Sequence, residues 1–385
     1  MKNLSRLSLA AVETSKLMGV SFAYGSATAE GDTVTISDFV ISMPGQDDID
    51  VPGDVVFTGV VETAEGGFSA ERATIADFEY TDEEEGFSVS FVDIAAEGIV
   101  LPADAGLDSV IEIGFNLYDR ISAGPLSISD ESGTELFAID LMEVTMEEPT
   151  AEGGLSSAYQ VSGIRGDLSA IEEPEAQEVM EAFGLSQLSA SMSGSGTWWP
   201  QTGAASVDDV SFVVDELGSL SLDFAVEGYT EELYRELMKV NLKMAEMAEA
   251  GIEIDEDQMA DMSEAMLEKM ADVKLVDGAL RYDDDSLFMK VLDFIGAEQG
   301  VDGETFKAGL QFMVPMALAE VENAAFKTMV TNAVNTFIAD PQNFTISVEP
   351  EEPIAFSEFE GMEAEVENDP FVLVDLLNVQ ITANQ

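Results

Sequence analysis

Ser186 to Gly228 reads SQLSASMSGSGTWWPQTGAASVDDVSFVVDELGSLSLDFAVEG, and this stretch decides the fold. Leu188, Ala190 and Met192 alternate with Ser189, Ser191 and Ser193. Trp198-Trp199-Pro200-Gln201-Thr202-Gly203 supplies a turn, and Val210, Phe212 and Val214 form a second apolar row. Asp215-Glu216-Leu217-Gly218 turns the chain again, and Leu220, Leu222, Phe224 and Val226 form a third row. Successive side chains of a strand point to opposite faces. Three such runs joined by short turns therefore predict an antiparallel meander with one apolar and one polar face.

Upstream, further β units follow one another from Gly31 to Leu101. In Thr33 to Ile41 the alternation of Val34 and Ile36 changes phase near Asp38, as a bulge or strand bend would produce. Arg72 to Tyr80, Phe87 to Ile94 and Ile139 to Val144 echo this unit, each a β run with an acid near its middle. This irregular repeat predicts one long twisted sheet rather than a fixed-period array. Glu172 to Phe183 reads as a short helix with Pro174 in its first turn.

Downstream of Gly228 the pattern turns helical. Thr230 caps a helix whose face carries Leu233, Leu237, Val240, Met244 and Met247, with Glu231 placed to pair with Arg235. Asp255 and Gln258 open a second helix bearing Met259, Met262, Met266 and Met270. Val273 to Tyr282 reads as a strand. Asp283-Asp284-Asp285 then leads into a helix through Leu287, Val291 and Ile295. Asp302 caps another, which Pro315 kinks or ends, and Phe326 to Phe337 is the most regular helical stripe. Phe344, Ile346 and Val348 return to β. Pro350 and Pro353 then mark an edge or crossover, Asp369-Pro370 a short helix, and Val379 to Ile381 a last strand.

The chain has 385 residues with 77 acidic and 15 basic side chains, a net charge of −62. Its apolar content of 46 % is that of a globular protein, so wholesale disorder is not expected. Between Leu17 and Tyr234 the only basic side chains are Arg72, Arg120 and Arg165, too few to neutralise a row of phosphates. Nucleic acid and anionic headgroups are thereby excluded as partners of a basic patch. There is no cysteine and no histidine. Ser-His-Asp and Cys-His nucleophiles and typical zinc or non-haem iron sites are thus ruled out. No run is long and apolar enough to predict a membrane-spanning helix. Near the start, Glu13 and Lys16 interrupt the apolar run too early for a secretory core, and Leu4 to Met18 reads as an amphipathic helix. An exported form would start after a removed signal.

Three constellations are candidates for function. Met238, Met244, Met247, Met259, Met262, Met266 and Met270 form a methionine stripe, suited to apolar partners of varying shape as well as to ordinary core packing. Asp283, Asp284 and Asp285, with Glu253 to Asp257, supply hard oxygen ligands for calcium, although both runs also sit where helix caps are expected. Paired carboxylates are the chemistry of glycoside hydrolysis, yet 77 acids make some pair at any spacing inevitable. Ser193-Gly194-Ser195-Gly196 reads as strand with close sheet packing rather than as a nucleophile loop.

Gly196-Thr197-Trp198, Asp209 to Gly228, Ala279 to Leu287 and the proline-punctuated pair from Pro341 to Phe356 carry a resemblance. In this order they resemble uncharacterised exported proteins of proteobacteria and, distantly, AsmA-like envelope proteins with long curved sheets. The resemblance spans residues 186–385 and implies an extracytoplasmic location. For the AsmA-like proteins it also implies handling of lipid along a β groove. The membrane anchor that begins those proteins has no counterpart in this sequence, and no catalytic residue carries over.

The expected fold is α+β: a large twisted antiparallel sheet whose apolar face is covered by a block of helices. Residues 1–228 supply the N-terminal helix and the long sheet, 229–340 a helical layer with one inserted strand, and 341–385 strands that rejoin the sheet. These are read as one continuous structural unit. The leading functional expectation is a non-catalytic, periplasmic or otherwise extracytoplasmic binding or structural protein, with a lipid or other apolar molecule between sheet and Met-rich helices. A cytoplasmic location stays open. The alternatives are an acidic, calcium-dependent surface or secreted interaction protein and, third, a hydrolase using carboxylates alone. No cofactor other than calcium is expected.

Overall fold

The structure is a computed structural model. It describes residues 21–42, 49–82, 86–103, 106–112, 117–147, 149–150, 152–171, 173–250, 256–319, 321–362, 365–366 and 369–385. The helix expected from Leu4 to Met18 and the acidic run from Glu253 to Asp255 lie outside these residues.

Twenty-one strands among the described residues join one sheet. The first hundred residues give β1 (Ser21–Glu30), β2 (Thr33–Ser42), β3 (Ile49–Asp50), β4 (Val55–Thr58) and β5 (Val61–Glu62). They continue with β6 (Phe68–Ile75), β7 (Phe78–Asp82), β8 (Phe87–Phe91) and β9 (Ile94–Leu101). A short helix, Leu107–Glu112, precedes β10 (Arg120–Ala123), β11 (Leu126–Asp130), β12 (Glu135–Ile139), β13 (Leu141–Met146) and β14 (Leu155–Asp167). The helix Pro174–Phe183 leads into the meander β15 (Gln187–Trp199), β16 (Ala204–Val214) and β17 (Gly218–Glu227). Helices Glu231–Glu249 and Glu256–Met270 follow, then β18 (Lys274–Asp284). Helices Leu287–Glu298, Gly303–Ala317 and Ala324–Ala339 come before β19 (Asn343–Val348) and β20 (Ile354–Ala355). Two short helices, Phe356–Gly361 and Phe371–Leu376, end the chain with β21 (Gln380–Ala383).

All pairings are antiparallel. From one edge the order is β21, β19, β18, β17, β16, β15, β14. At β14 the sheet divides. One wing continues through β13, β10, β9, β6, β4, β2 and β1, the other through β12, β11, β8 and β7.

The division has a local cause that explains the acid-centred runs. β6 and β7, β8 and β9, β10 and β11, and β12 and β13 are each consecutive segments separated at Asp77, Asp93, the cis Gly124-Pro125 step and Asp140. These breaks lie at one level. The Asp93 amide donates to the Asp77 carboxylate at 3.0 Å, and the Gly124 amide to the Val92 carbonyl at 3.0 Å. Asp140 stands against Gly163, where β14 bends with φ 64°. Asp93 itself has φ 52°, and aspartate visits this left-handed region more readily than most side chains. Asp38 does the same within β2, at φ 55°. Its partner Gly25 has no room for a Cβ, which would fall 2.4 Å from the Asp38 Oδ2. One left-handed residue shifts the alternation of faces, so Val34 and Ile36 before Asp38 share a face with Phe39 and Ile41 after it.

On the polar face the scarce arginines are already bound. Arg72 pairs with Glu97 at 2.6 Å, and Arg120 bridges Glu97 at 3.7 Å and Glu143, to which its Nε donates at 2.7 Å. Arg165 reaches Asp140 at 2.7 Å and Glu135 at 3.5 Å. Helix starts follow the expected chemistry. Thr230 Oγ1 accepts from the Leu233 amide at 3.3 Å, and Arg235 pairs with Glu231 at 2.8 Å. Asp302 accepts from the Thr305 amide at 2.7 Å. Pro315 sits in the last turn of its helix, which stops two residues later at Ala317.

Candidate functional site: an apolar face along the sheet

Strand register places a continuous apolar row on one face of the sheet. It runs Val34, Phe57, Ala73, Ala96, Ile121, Val144 and Tyr159, from β2 to β14. Two residues further along β14, Val161 continues the row through Met192, Phe212, Leu220, Tyr282, Phe344 and Ala383. At about 4.8 Å per strand the path is on the order of 55 Å long. A second row, Val210, Leu222, Leu280, Ile346 and Ile381, lies beside its later half.

The ends of this face are recessed. In the first wing a cavity of about 380 Å³ is lined by Phe22, Phe39, Val55, Phe57, Ile94 and Ile121, among others. At the far end a cavity of about 560 Å³ lies between the sheet residues Tyr282 and Phe344 and the helix residues Leu310, Val314, Val334 and Phe337. Both volumes fall in the usual range for small-molecule pockets. Phe337 anchors the helical layer here. Its ring lies 5.0 Å from Phe288, 5.8 Å from Phe344 and 6.0 Å from Tyr282.

Between the two cavities the face is open. Met192, Phe212, Leu220, Leu222, Leu280 and Ile346 are 38–46 % exposed. The expectation that helices cover the apolar face therefore holds in part: Phe288 and Phe337 sit over the β18, β19 and β21 end, and helix Glu231–Glu249 packs against β1 and sets Tyr234 against Trp198 of β15, while the stretch between stays open. A contiguous apolar surface of this kind is a candidate interaction site.

The methionine stripe lies elsewhere. Met238, Met247, Met262, Met266 and Met270 are half-buried on two helices that pack together, the first of them also against β1. The side chains of Met244 and Met259 lie outside the described residues. Neither apolar cavity is lined by any of the five that are described. The acidic run Asp283 to Asp285 is engaged in local structure. Asp283 receives the Arg281 guanidinium at 2.7 Å, and Asp284 accepts from the Tyr282 hydroxyl at 2.5 Å and the Phe288 amide at 2.8 Å. Asp284 thus takes up a first-turn amide of the helix that follows, whose N-cap is Ser286. Among the described residues no group of three or more His, Cys, Asp or Glu side chains is arranged to hold a metal ion.

The carboxyls with a clear shift, Asp130, Glu236 and Asp302, are all held low. Bonds from Ser132, from Lys239 and from Thr305 are the leading causes. A general acid for glycoside cleavage needs the opposite direction. Gly194 lies under Tyr159, where a Cβ would come within 2.6 Å of the ring, so the Ser193 to Gly196 segment is close sheet packing.

Trp198 is a packed turn residue. Its Nε1 donates to the Tyr229 carbonyl at 2.6 Å, and its ring lies 5.1 Å from that of Tyr234. Burial, with Tyr229 nearby, pushes the Tyr234 hydroxyl up to about 12, and burial also raises Tyr229 and Tyr118. Tyr282 is raised by burial and by its bond to Asp284. Unfolded tyrosines ionise near pH ~10. Stability that is complete below that pH is therefore lost as pH rises towards about 12, because the folded chain resists deprotonation. We expect melting temperature to fall over this window, with tyrosinate absorbance lagging until unfolding. Free titration of all seven tyrosines near pH ~10 in the folded protein would contradict it.

A family model described only as "Uncharacterized protein" matches residues 211–384. The match begins inside β16, just before Phe212, and takes in β17 to β21, the part of the sheet bearing Leu222, Leu280 and Ile346, together with the helices against it. No curated protein matches the chain. Among the described residues no helix is long and apolar enough to cross a membrane.

Proposed function

We propose that this protein is a non-catalytic binding protein that holds an elongated apolar molecule, of the acyl-lipid class, along the apolar face of its sheet. The observation that carries this reading is the row of large apolar side chains left open between two apolar cavities on one face. A ligand of compact shape would fill one cavity. A long chain is the shape that also covers Phe212, Leu220, Leu222 and Leu280 between them. The reading moves the ligand from the Met-rich helices, where the stripe suggested it, onto the strands.

Electrostatics favour an uncharged or weakly charged ligand head. The net charge of −62 repels anions, and the three arginines between Leu17 and Tyr234 are bound to carboxylates. The proposal includes the extracytoplasmic setting that the AsmA-like resemblance implies. Titration with an environment-sensitive fluorescent fatty-acid methyl ester, which carries no charge, tests it. Saturable emission enhancement supports the reading, and its absence at concentrations below micelle formation contradicts it.

A further inference from the structure

We propose that the C-terminal half of the helix Gly303–Ala317 docks the protein on a neutral phospholipid surface, beside the mouth of the 560 Å³ cavity. This rests on the acyl-binding reading and names the source of the acyl chain.

The helix starts as an ordinary surface helix, with Asp302 as cap and Glu304 and Lys307 in its first turns. From Ala308 to Ala319 it carries no charge at all. Leu310, Met313, Val314 and Ala317 line the cavity. Phe312 and Met316, which do not, are 79 % and 76 % exposed, and a spacing of four places them on one face. A helix apolar on every side belongs in a protein core or in lipid. This one has a packed side and a bare side.

Charge selects what covers the bare side. A second copy would bring a further −62, and anionic headgroups are repelled in the same way. A basic partner would be drawn to the acidic surface and not to an uncharged turn. A zwitterionic layer meets neither obstacle, and Phe and Met side chains enter it as apolar anchors. Met313 joins the two features, since it lines the cavity and is 59 % exposed. An acyl chain leaving the layer at Met313 enters the cavity without crossing water.

Flotation of the full chain with phosphatidylcholine vesicles tests this. We expect wild type to float and the double variant Phe312→Ser, Met316→Ser to lose about tenfold or more of its vesicle affinity. The variant's melting temperature and uptake of the uncharged fluorescent fatty-acid methyl ester should be unchanged, because neither side chain is buried or lines the cavity. Added phosphatidylglycerol should weaken flotation at low salt. Docking is overturned if wild type does not float or if the variant floats equally well. It is also overturned if the substitutions abolish a concentration-dependent self-association instead. Each of these leaves uptake of the ester intact, whereas failure of that uptake in wild type removes the reading beneath the proposal.

Discussion

Phe337→Ala is expected to destabilise the protein by about 3–4 kcal/mol, the range for removing a buried aromatic ring from a packed site. Phe337 is 9 % exposed and touches aromatic rings from the helix Leu287–Glu298, from β18 and from β19. Its neighbours Ala333 and Ala383 are small, so the side chains that remain cannot close the gap. The ring also walls the larger cavity, and its loss opens that cavity to water. Urea unfolding followed by circular dichroism measures the effect. A loss below about 1 kcal/mol would mean that the helical layer is fastened elsewhere.

Gly163→Val is the second large effect, expected at about 3–5 kcal/mol from backbone strain and overpacking together. At φ 64° a β-branched residue is strained whatever surrounds it. Here the surroundings also forbid it, because a Cβ would fall 2.1 Å from the Asp140 Oδ2. Asp140 cannot swing aside freely, since Arg165 Nη1 holds its other oxygen at 2.7 Å and also donates to the Gly163 carbonyl at 3.1 Å. This is the point at which β14 passes from one wing to the other, so relief of the clash unpairs β12 or β13. Gly133→Ala is the control. Gly133 has φ 80° in the β11–β12 turn with nothing within 4 Å of a Cβ, so only the backbone term of about 1 kcal/mol applies. Equal effects at the two glycines would remove the crowding argument.

The parts of this fold legible in the sequence are those fixed by neighbours along the chain. The meander from Gln187 to Glu227, the Thr230 and Asp302 caps and the helix Ala324–Ala339 follow from alternation, capping side chains and a 3.6-residue stripe. The acids in the middle of β runs were visible too, and Asp38 does bend its strand. What they do together was not visible. Asp77, Asp93 and Asp140 divide the sheet only because register brings their strands level, and register is a non-local property.

The candidate site divides in the same way. The alternation of Phe212, Leu220, Leu222 and Leu280 marks an apolar face, but an apolar face reads identically whether a helix covers it or not. Exposure decides, and exposure depends on where the helices land. Conversely, the methionine stripe from Met238 to Met270 has the periodicity of any packed helix pair, and that is where the structure places it. The nearest sequence signal for Phe312 and Met316 is the uncharged stretch from Ala308 to Ala319, which stands out in a chain with 77 acids.

The central claim is that the acyl chain lies on the strands. Titration of wild type beside Leu222→Arg with the uncharged fluorescent fatty-acid methyl ester tests it most directly. Leu222 is 39 % exposed in the open part of the face, so an arginine there keeps its head in water and leaves the fold intact. It nonetheless puts a charge across the path of the chain. The account expects saturable binding by wild type and a loss of about tenfold or more in the variant, with melting temperature nearly unchanged. Undiminished binding by Leu222→Arg would contradict it and place the ligand away from the open face.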